Sequence, residues 1–440
     1  MTYSLVPDAT PLPTRLARLE RPIAVCVVGI GSIGNGLAYQ LHHTPGFKLA
    51  GIADINLEKA LKCAERLGLS YRVVESAKEL AESQVAGDVA VSADGALIAG
   101  MEDADVMIEA SNAVIGGARH AEAAISSGNH VVMMNYEAEL MYGPHLLQRA
   151  RAAGLIYTCA DGDQPTVIKT LVDEIVFWGF EPVMLGNMKG FHDLYSDPTK
   201  IAPEADKRNL DHKMCASYTD GSKLGVEMAV VANALGGRVA RPGMTGPRIA
   251  SIHNIFEAFD FTAMWQPGDA PIVDYVLGAR PVGGVFVIGH TPEEFQQFTL
   301  SWYPPDMGPG PFYLFYRPYH LGHIEALRCV AEAVLDSTAR LAPWTGLRTN
   351  VVCYAKRDLK AGDVLDGMGG YLTYGFVENL DEADSLGGEG VPQLICDGLE
   401  LKREIKKDAR ILMSDCAARP DDERFSLYRD SLVIGAKATA

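Results

Sequence analysis

From residue 23 onward the chain alternates short, continuous apolar runs with stretches whose apolar residues recur at helical spacing. Ile23 to Val28 carries no charged side chain, as expected of a parallel strand buried on both faces. Glycines follow, and then Leu37 and Leu41 stand four apart, as on one face of a helix. The pattern repeats with a strand at Phe47 to Ala53, a helix at Leu57 to Leu67, a strand at Val106 to Glu109, a helix at Gly117 to Ser127 and a strand at His130 to Met134. Such alternation predicts an α/β fold with a doubly wound parallel sheet. Beyond Leu155 to Thr158 comes Asp161-Gly-Asp-Gln-Pro165, and an apolar helix from Thr166 to Trp178 opens a middle region. Its short strands and one long helix, Ser222 to Leu235, predict a mixed α+β arrangement. Past Val351 the texture changes to brief β-like runs broken by glycines, with Asp381 to Gly390 as a solvated loop. The predicted division is an arm over residues 1–22, a Rossmann domain over 23–160, a catalytic and dimerisation domain over 161–345 and a small third domain over 346–440. Within the arm, Pro7 to Pro13 reads as extended and Leu16 to Glu20 as a short amphipathic turn, either packed on a partner subunit or frayed.

Composition narrows the function classes. The chain has 440 residues, 48% of them hydrophobic and 22% charged, the balance of a globular protein with substantial cores. A formal charge of −17 and the lack of any Lys/Arg cluster argue against nucleic acid as a partner. The eight cysteines include no Cys-x-x-Cys pair, so reduced, buried thiols are expected. Prolines and acids in the first 22 residues and the lack of a long apolar run predict a cytoplasmic protein without membrane association.

The strongest chemical signal is Gly29-Ile-Gly31-Ser32-Ile33-Gly34, directly after the first strand. Gly29 permits a tight turn, Gly31 lets a pyrophosphate approach the backbone, and Gly34 allows close packing of helix on strand. The helix that follows offers amides and a positive dipole end to phosphates. Asp54 stands 20 residues past Gly34 at the end of the second strand, where an acid accepts hydrogen bonds from the ribose hydroxyls of NAD and repels the extra phosphate of NADP. NAD is therefore the expected cofactor over NADP. Ser111 and Asn112 follow the strand Val106 to Glu109 on the nicotinamide side of such a site, where ordinary loop polarity explains them equally well, and Asn135, which closes the strand after it, is a further cofactor-binding candidate.

These features, taken with Gly128-Asn-His-Val-Val-Met-Met-Asn135, resemble the homoserine dehydrogenase-like oxidoreductases. Within that group the chain is most similar to the deoxyxylulose phosphate reductoisomerase-like enzymes, through Met133-Met-Asn-Tyr-Glu-Ala138, Gly162-Asp-Gln-Pro165, Glu204-Ala-Asp-Lys-Arg-Asn209, Asp220-Gly-Ser-Lys-Leu-Gly-Val-Glu-Met228, Gly243-Met-Thr-Gly-Pro247 and Arg317-Pro-Tyr-His320. The tail resembles an SAF domain, a small β-clip module. The resemblance implies a homodimeric enzyme that oxidises or reduces a small polyhydroxy or phosphorylated sugar-derived compound. Isomerisation coupled to reduction, NADPH and a divalent metal belong to the reductoisomerase side of the family. The chain departs from the homoserine dehydrogenases, which place a catalytic Lys after the strand-end Asn; Tyr136 stands there, followed by Glu137.

Hydride transfer to a carbonyl needs a proton donor or cation at the carbonyl oxygen, and the reverse reaction needs a base. Lys223 and Glu227 stand four apart on an otherwise apolar helix, either as acid–base machinery at a core's edge or as a surface ion pair. Lys189, between glycines at the end of a strand-like run, is the second cation. Glu137 and Asp163 lie past strand ends, where they can orient a substrate hydroxyl or a metal, though Asp163 equally suits a helix cap. Arg317 and His320 stand in an aromatic loop suited to a phosphate or carboxylate, or simply packed. The motif His320-x-x-His323 with Glu325 is a weak metal signal. An NAD-binding sensor or scaffold without turnover remains the alternative function, and a homoserine-type dehydrogenase is disfavoured by Tyr136.

Overall fold

The computed structural model describes residues 11–207, 210–303, 307–417 and 422–438, with side chains up to residue 434. Residues 7–10 of the stretch predicted as extended from Pro7 to Pro13, and Arg208 and Asn209 of the motif beginning at Glu204, lie outside the described residues; residues 11–13 of that stretch are helical, not extended. The chain folds as two compact units. One runs up to Asp163 and is completed by Leu321–Ala342; the other consists of Gln164–His320 with the chain from Pro343 onward. The sequence had placed residues 321–345 in the middle domain and 346–440 in a domain of their own.

The first unit is built on seven strands: β1 (Ile23–Val28), β2 (Phe47–Ala53), β3 (Tyr71–Val73), β4 (Val89–Ser92), β5 (Val106–Glu109), β6 (His130–Met133) and β7 (Tyr157–Cys159). Their order is β3-β4-β2-β1-β5-β6-β7, with every neighbouring pair parallel. The order reverses at β1, so the crevice at the carboxyl ends of β1 and β5 is the ligand-binding edge of this doubly wound sheet. Helices cover both sheet faces, as the buried, apolar strands require. Val25, Val27, Leu37, Leu41 and Ile52 form one continuous core with Leu327, Cys329, Val330 and Ala331 of the helix Leu327–Asp336. The returning segment is thus an integral layer of this unit. Part of the expected arm is a helix, Pro11–Ala17, whose Leu16 is buried in the same core while Arg15 pairs with Asp336 at 2.6 Å. Its anchoring partner is the chain itself, because an apolar residue at this spacing finds a nearby hydrophobic surface.

The helix Tyr136–Ala152 was not expected from periodicity. Twelve of its residues are buried, the acids Glu137 and Glu139 among them, and a helix whose polar residues are buried with its apolar ones shows no amphipathic stripe. Its Glu139 lies in that core, bonded to the Tyr157 hydroxyl and near the Cys159 thiol. Burial pushes this carboxyl up from 4.5 to about 7. The folded state therefore keeps a proton that the unfolded chain has released, and stability falls as pH rises across that interval. The expected loss is about 3 kcal/mol between the two limits. Glu139→Gln should abolish this dependence in urea titrations run from pH 4.5 to 8; an unchanged slope would contradict the assignment.

The second unit centres on a mixed sheet of β8 (Glu181–Lys189), β9 (Ile272–Leu277), β10 (Val285–His290) and β11 (Phe312–Arg317), in the order β11-β10-β8-β9. The pair β8 and β9 is parallel and the other two pairs are antiparallel. Met184, Met188, Phe286 and Ile288 pack against Phe259, Phe261 and Trp265 on one face. The other face carries the helices Gln164–Phe177 and Ser222–Leu235. Every residue from Ser222 to Ala234 is buried, because the antiparallel pair β12 (Thr349–Ala355) and β13 (Thr373–Asn379) packs on the far side of this helix. Asn233 holds that contact by accepting from the backbone of Arg348 and Thr349 and donating to Thr349 O. The tail beyond Val351 continues as isolated bridges such as Leu359 with Ile405 and Val364 with Glu400. It builds one unit with the mixed sheet by sandwiching a shared helix.

All eight cysteines are free and buried. Among the described residues no helix is long and apolar enough to cross a membrane.

Candidate active site

In the first unit the glycine motif occupies the turn between β1 and the helix Ser32–His43. Gly29 has φ +96°, and a Cβ there would fall 2.4 Å from Ser111 N, so only glycine lets the two loops at the strand-order reversal lie flush. A Cβ on Gly34 would fall 1.8 Å from Gly29 O, whereas one on Gly31 meets nothing within 4 Å. Gly31 therefore presents open backbone beside the exposed first helical residues Ser32 and Ile33, whose amides have no intrahelical acceptor. Asp54 accepts from Ile30 N at 2.8 Å and Asn56 N at 2.9 Å, one bond to each oxygen. A carboxylate has about four acceptor sites, so Asp54 is fixed in place with capacity left for ribose hydroxyls. The motif, the helix start and Asp54 fit a dinucleotide.

Asn135 was assigned to the cofactor, but its side chain is committed to structure. Its Oδ1 caps Ala138 N at 3.0 Å, and its Nδ2 donates to Ala113 O and Glu109 Oε1. Ser111 is half-buried and Asn112 exposed in the loop after β5. Glu137 is buried in the first turn of the helix Tyr136–Ala152, and Asp163 is half-buried at the end of the first unit's main segment.

The second unit supplies a different constellation. Residues two apart on a strand share a face, and Asn187 and Lys189 both reach Glu227 from β8. Asn187 Nδ2 donates to Glu227 Oε2 at 2.9 Å, and Lys189 Nζ lies 3.3 Å from the same oxygen. The Glu227 side chain is 5% exposed and that of Lys189 20%. Lys223, one turn before Glu227, is also buried. The structure thus brings Lys189 to Glu227 and places the Lys223–Glu227 stretch inside the unit instead of on a solvated stripe.

Two further buried acids organise the surroundings. Asp274 accepts from the backbone N–H groups of Thr245, Gly246 and Tyr275, which pins the Gly243-Met-Thr-Gly246 loop with Met244 at φ 68°. Burial pushes the Asp274 carboxyl up, against the lowering effect of those donors. Asp220 pairs with Lys356 at 2.9 Å in a site where both side chains are almost inaccessible. Sequence reading missed Asn187, Asp274 and the Asp220–Lys356 pair. The i, i+2 relation of Asn187 to Lys189 was the available signal for the first.

Arg317 lies 4.5 Å over the Tyr319 ring, and His320 Nδ1 is 2.7 Å from Gly283 O. His323 belongs to the first unit, against Gly36, while His320 belongs to the second. Among the described residues no three His, Cys, Asp or Glu side chains are grouped to hold a metal ion.

A parallel nucleotide-binding sheet joined to a mixed-sheet unit with a buried cation–carboxylate cluster is the build of a dinucleotide-dependent oxidoreductase. Two family models agree: residues 29–159 match the homoserine dehydrogenase NAD binding domain, and residues 162–326 match the catalytic domain of oxidoreductase DRL. By these domains the chain is an NAD(P)-dependent oxidoreductase. No curated protein matches the chain in sequence. Among solved structures it is similar to 1-deoxy-D-xylulose 5-phosphate reductoisomerase from Zymomonas mobilis in complex with NADPH (14% identity, 74% of this chain and 84% of that one, TM-score 0.38). It is also similar to biliverdin reductase from Synechocystis sp. PCC 6803 in complex with biliverdin and NADP+ (18% identity, 40% and 49%, TM-score 0.29). A third is myo-inositol dehydrogenase from Lactobacillus casei in complex with NAD(H) and myo-inositol (15% identity, 43% and 53%, TM-score 0.30). The chain spans about half the length of the latter two.

Proposed function

We propose that the protein transfers a hydride between NAD(P) and a small polyhydroxy or phosphorylated sugar-derived substrate, with isomerisation as an accompanying step on ketose substrates. The observation that carries this reading is the buried Asn187–Lys189–Glu227 cluster with Lys223 one helical turn away. A sensor that only binds the dinucleotide needs no acid and base facing the nicotinamide, so substituting Lys189, Lys223 and Glu227 would leave its function intact. The nicotinamide, when bound, supplies or accepts the hydride. Lys189 or Lys223 provides the cation and proton at the substrate carbonyl oxygen, and Glu227, held by Asn187, positions Lys189. Arg317, fixed over Tyr319, and His320 suit a phosphate or carboxylate on the substrate. Glu137 and Asp163 orient a hydroxyl, alone or through a divalent metal. Residues 346–440 are assigned to an SAF-like β-clip module. The deciding experiment is a screen of tetronates, ketose phosphates and homoserine with NAD, NADP and their reduced forms, with and without magnesium or manganese. Turnover is expected on the sugar-derived compounds, and turnover on homoserine alone would overturn the substrate class.

The cofactor preference follows from Asp54. NAD is expected to bind at least about tenfold more tightly than NADP, since about 1.4 kcal/mol of repulsion at the 2'-phosphate suffices for that ratio. Asp54→Ala should narrow the gap in fluorescence titrations of the two cofactors. Tighter NADP binding by the wild-type chain would contradict the assignment. The assembly we propose is a homodimer, the commonest closed arrangement. Light scattering should give twice the 47.4 kDa chain mass, and a monomeric mass at micromolar concentration would refute it.

A further inference from the structure

We infer that Glu109, at the carboxyl end of β5, is the positioning residue that fixes the nicotinamide-side loop of the dinucleotide site. The inference rests on the NAD(P) reading above and assigns a role to residues that reading leaves unused. Glu109 is the only charged residue of its strand and is fully buried. A buried carboxylate is costly unless its acceptor sites are filled, and here every filling group belongs to the edge where the strand order reverses. Oε1 accepts from Ser111 N at 3.0 Å, from the Ser111 hydroxyl and from Asn135 Nδ2 at 3.3 Å. Oε2 faces His120 Nδ1 at 2.7 Å. The backbone carbonyl of Glu109 also accepts from Met134 N and Asn135 N. One residue therefore ties together the loops after β5 and β6 and the helix Val114–Ser126.

The tie has a specific geometric product. Ser111 N and Cα are held so close to Gly29 that a Cβ there would collide with them at 2.4 and 2.6 Å. The Ser111 hydroxyl, oriented by Glu109, also lies 3.3 Å from Ala113 N, at the start of the same helix. His120 is admitted by Gly95, where a Cβ would fall 2.4 Å from its Nε2. Among the described residues none of these hydrogen bonds goes to Asp54 or Gly31, which suit the adenosine and pyrophosphate portions. Glu109 thus governs one end of the dinucleotide and leaves the other to the glycine motif.

That separation gives a test independent of turnover. NAD+ and ADP-ribose, which lacks the nicotinamide, are titrated against the whole wild-type chain and against Glu109→Gln by calorimetry. The variant is expected to bind NAD+ about tenfold more weakly, a change of about 1.4 kcal/mol, while its ADP-ribose affinity stays within about twofold; retained ADP-ribose binding also shows that the unit is folded. Ser111→Ala, which deletes only the hydroxyl, should reproduce the selective loss in smaller measure and carries the test if Glu109→Gln does not fold. Equal weakening of both ligands, or no change in either, would mean that Glu109 is a general structural group and would overturn the inference. A wild-type chain that binds neither NAD+ nor ADP-ribose would instead bring down the dinucleotide reading itself.

Discussion

Lys189→Met is expected to lower turnover by about 100-fold or more, the usual cost of deleting a donor that stabilises developing oxyanion charge, while NAD binding stays near the wild-type value. The second half of this expectation follows from the chain's division of labour, since the glycine motif and Asp54 belong to the first unit and Lys189 to the second. Lys189 Nζ lies 3.3 Å from Glu227 Oε2, and the carboxylate is also held by Asn187. Removing the cation leaves a nearly inaccessible acid with one partner fewer. Melting curves must therefore accompany the kinetics, and Lys189→Arg, which keeps the charge, should recover the stability but not the full rate. Lys223→Met decides between the two lysines: if Lys223 is the donor, its loss is the larger. Turnover within a few-fold of wild type in both variants would move the chemistry elsewhere.

Lys356→Met is expected to destabilise the second unit by about 3 to 5 kcal/mol, the range for breaking a buried ion pair from one side. Lys356 forms an ion pair with Asp220 at 2.9 Å and donates to Ser196 O at 2.5 Å and Gly370 O at 2.8 Å. Its side chain is 4% exposed and that of Asp220 is 0%. Asp220 also accepts from Ser222 N at the start of the helix Ser222–Leu235, so the pair joins that helix to the strand region beyond it. Burial already pushes the Asp220 carboxyl up, and Lys356 pulls it back down. Without the lysine the folded-state value rises further above the unfolded one, so the variant's stability should fall more steeply with rising pH. The defect is therefore largest at neutral pH and shrinks in acid. Replacing both partners, as Lys356→Met with Asp220→Asn, should recover part of the loss in urea denaturation. A double variant as unstable as the single one would show that Lys356 acts through its carbonyl contacts alone.

The first unit was legible because parallel strands buried on both faces read as uninterrupted apolar runs. Ile23–Val28, Phe47–Ala53 and Val106–Glu109 begin and end where the sequence predicts. The strands Tyr71–Val73 and Val89–Ser92 escaped notice because three or four residues near the edge of a sheet carry too little pattern. The helix Tyr136–Ala152 escaped for the opposite reason, since its first three turns are buried on nearly all sides, with Glu137 and Glu139 among the apolar residues. At the candidate site the helical spacing of Lys223 and Glu227 and the glycine-flanked Lys189 were visible, but the partnership of Lys189 with Glu227 spans 38 residues. Contacts of that range leave no local periodicity. Glu109 and the Asp220–Lys356 pair were unreadable on the same ground, since their burial is decided by elements remote in the chain. The tail over residues 346–440 was expected to stand apart, and what merged it into the second unit was the helix Ser222–Leu235, too apolar for a single sheet to cover.

The interrupted course of the first unit bears on how the protein is made. Its core is incomplete until the helix Leu327–Asp336 supplies Leu327, Cys329, Val330 and Ala331, yet the intervening residues 164–320 must leave the ribosome beforehand. Domains commonly fold in order of synthesis, at roughly 5 to 20 residues per second. The nucleotide-binding sheet therefore waits on the order of ten seconds or more with an apolar flank uncovered, and it can close only after the segment that interrupts it has been synthesised. Arrested nascent chains ending between residues 163 and 320 should remain protease-sensitive across β1 to β7, and those extended beyond residue 342 by a tunnel's length should become protected.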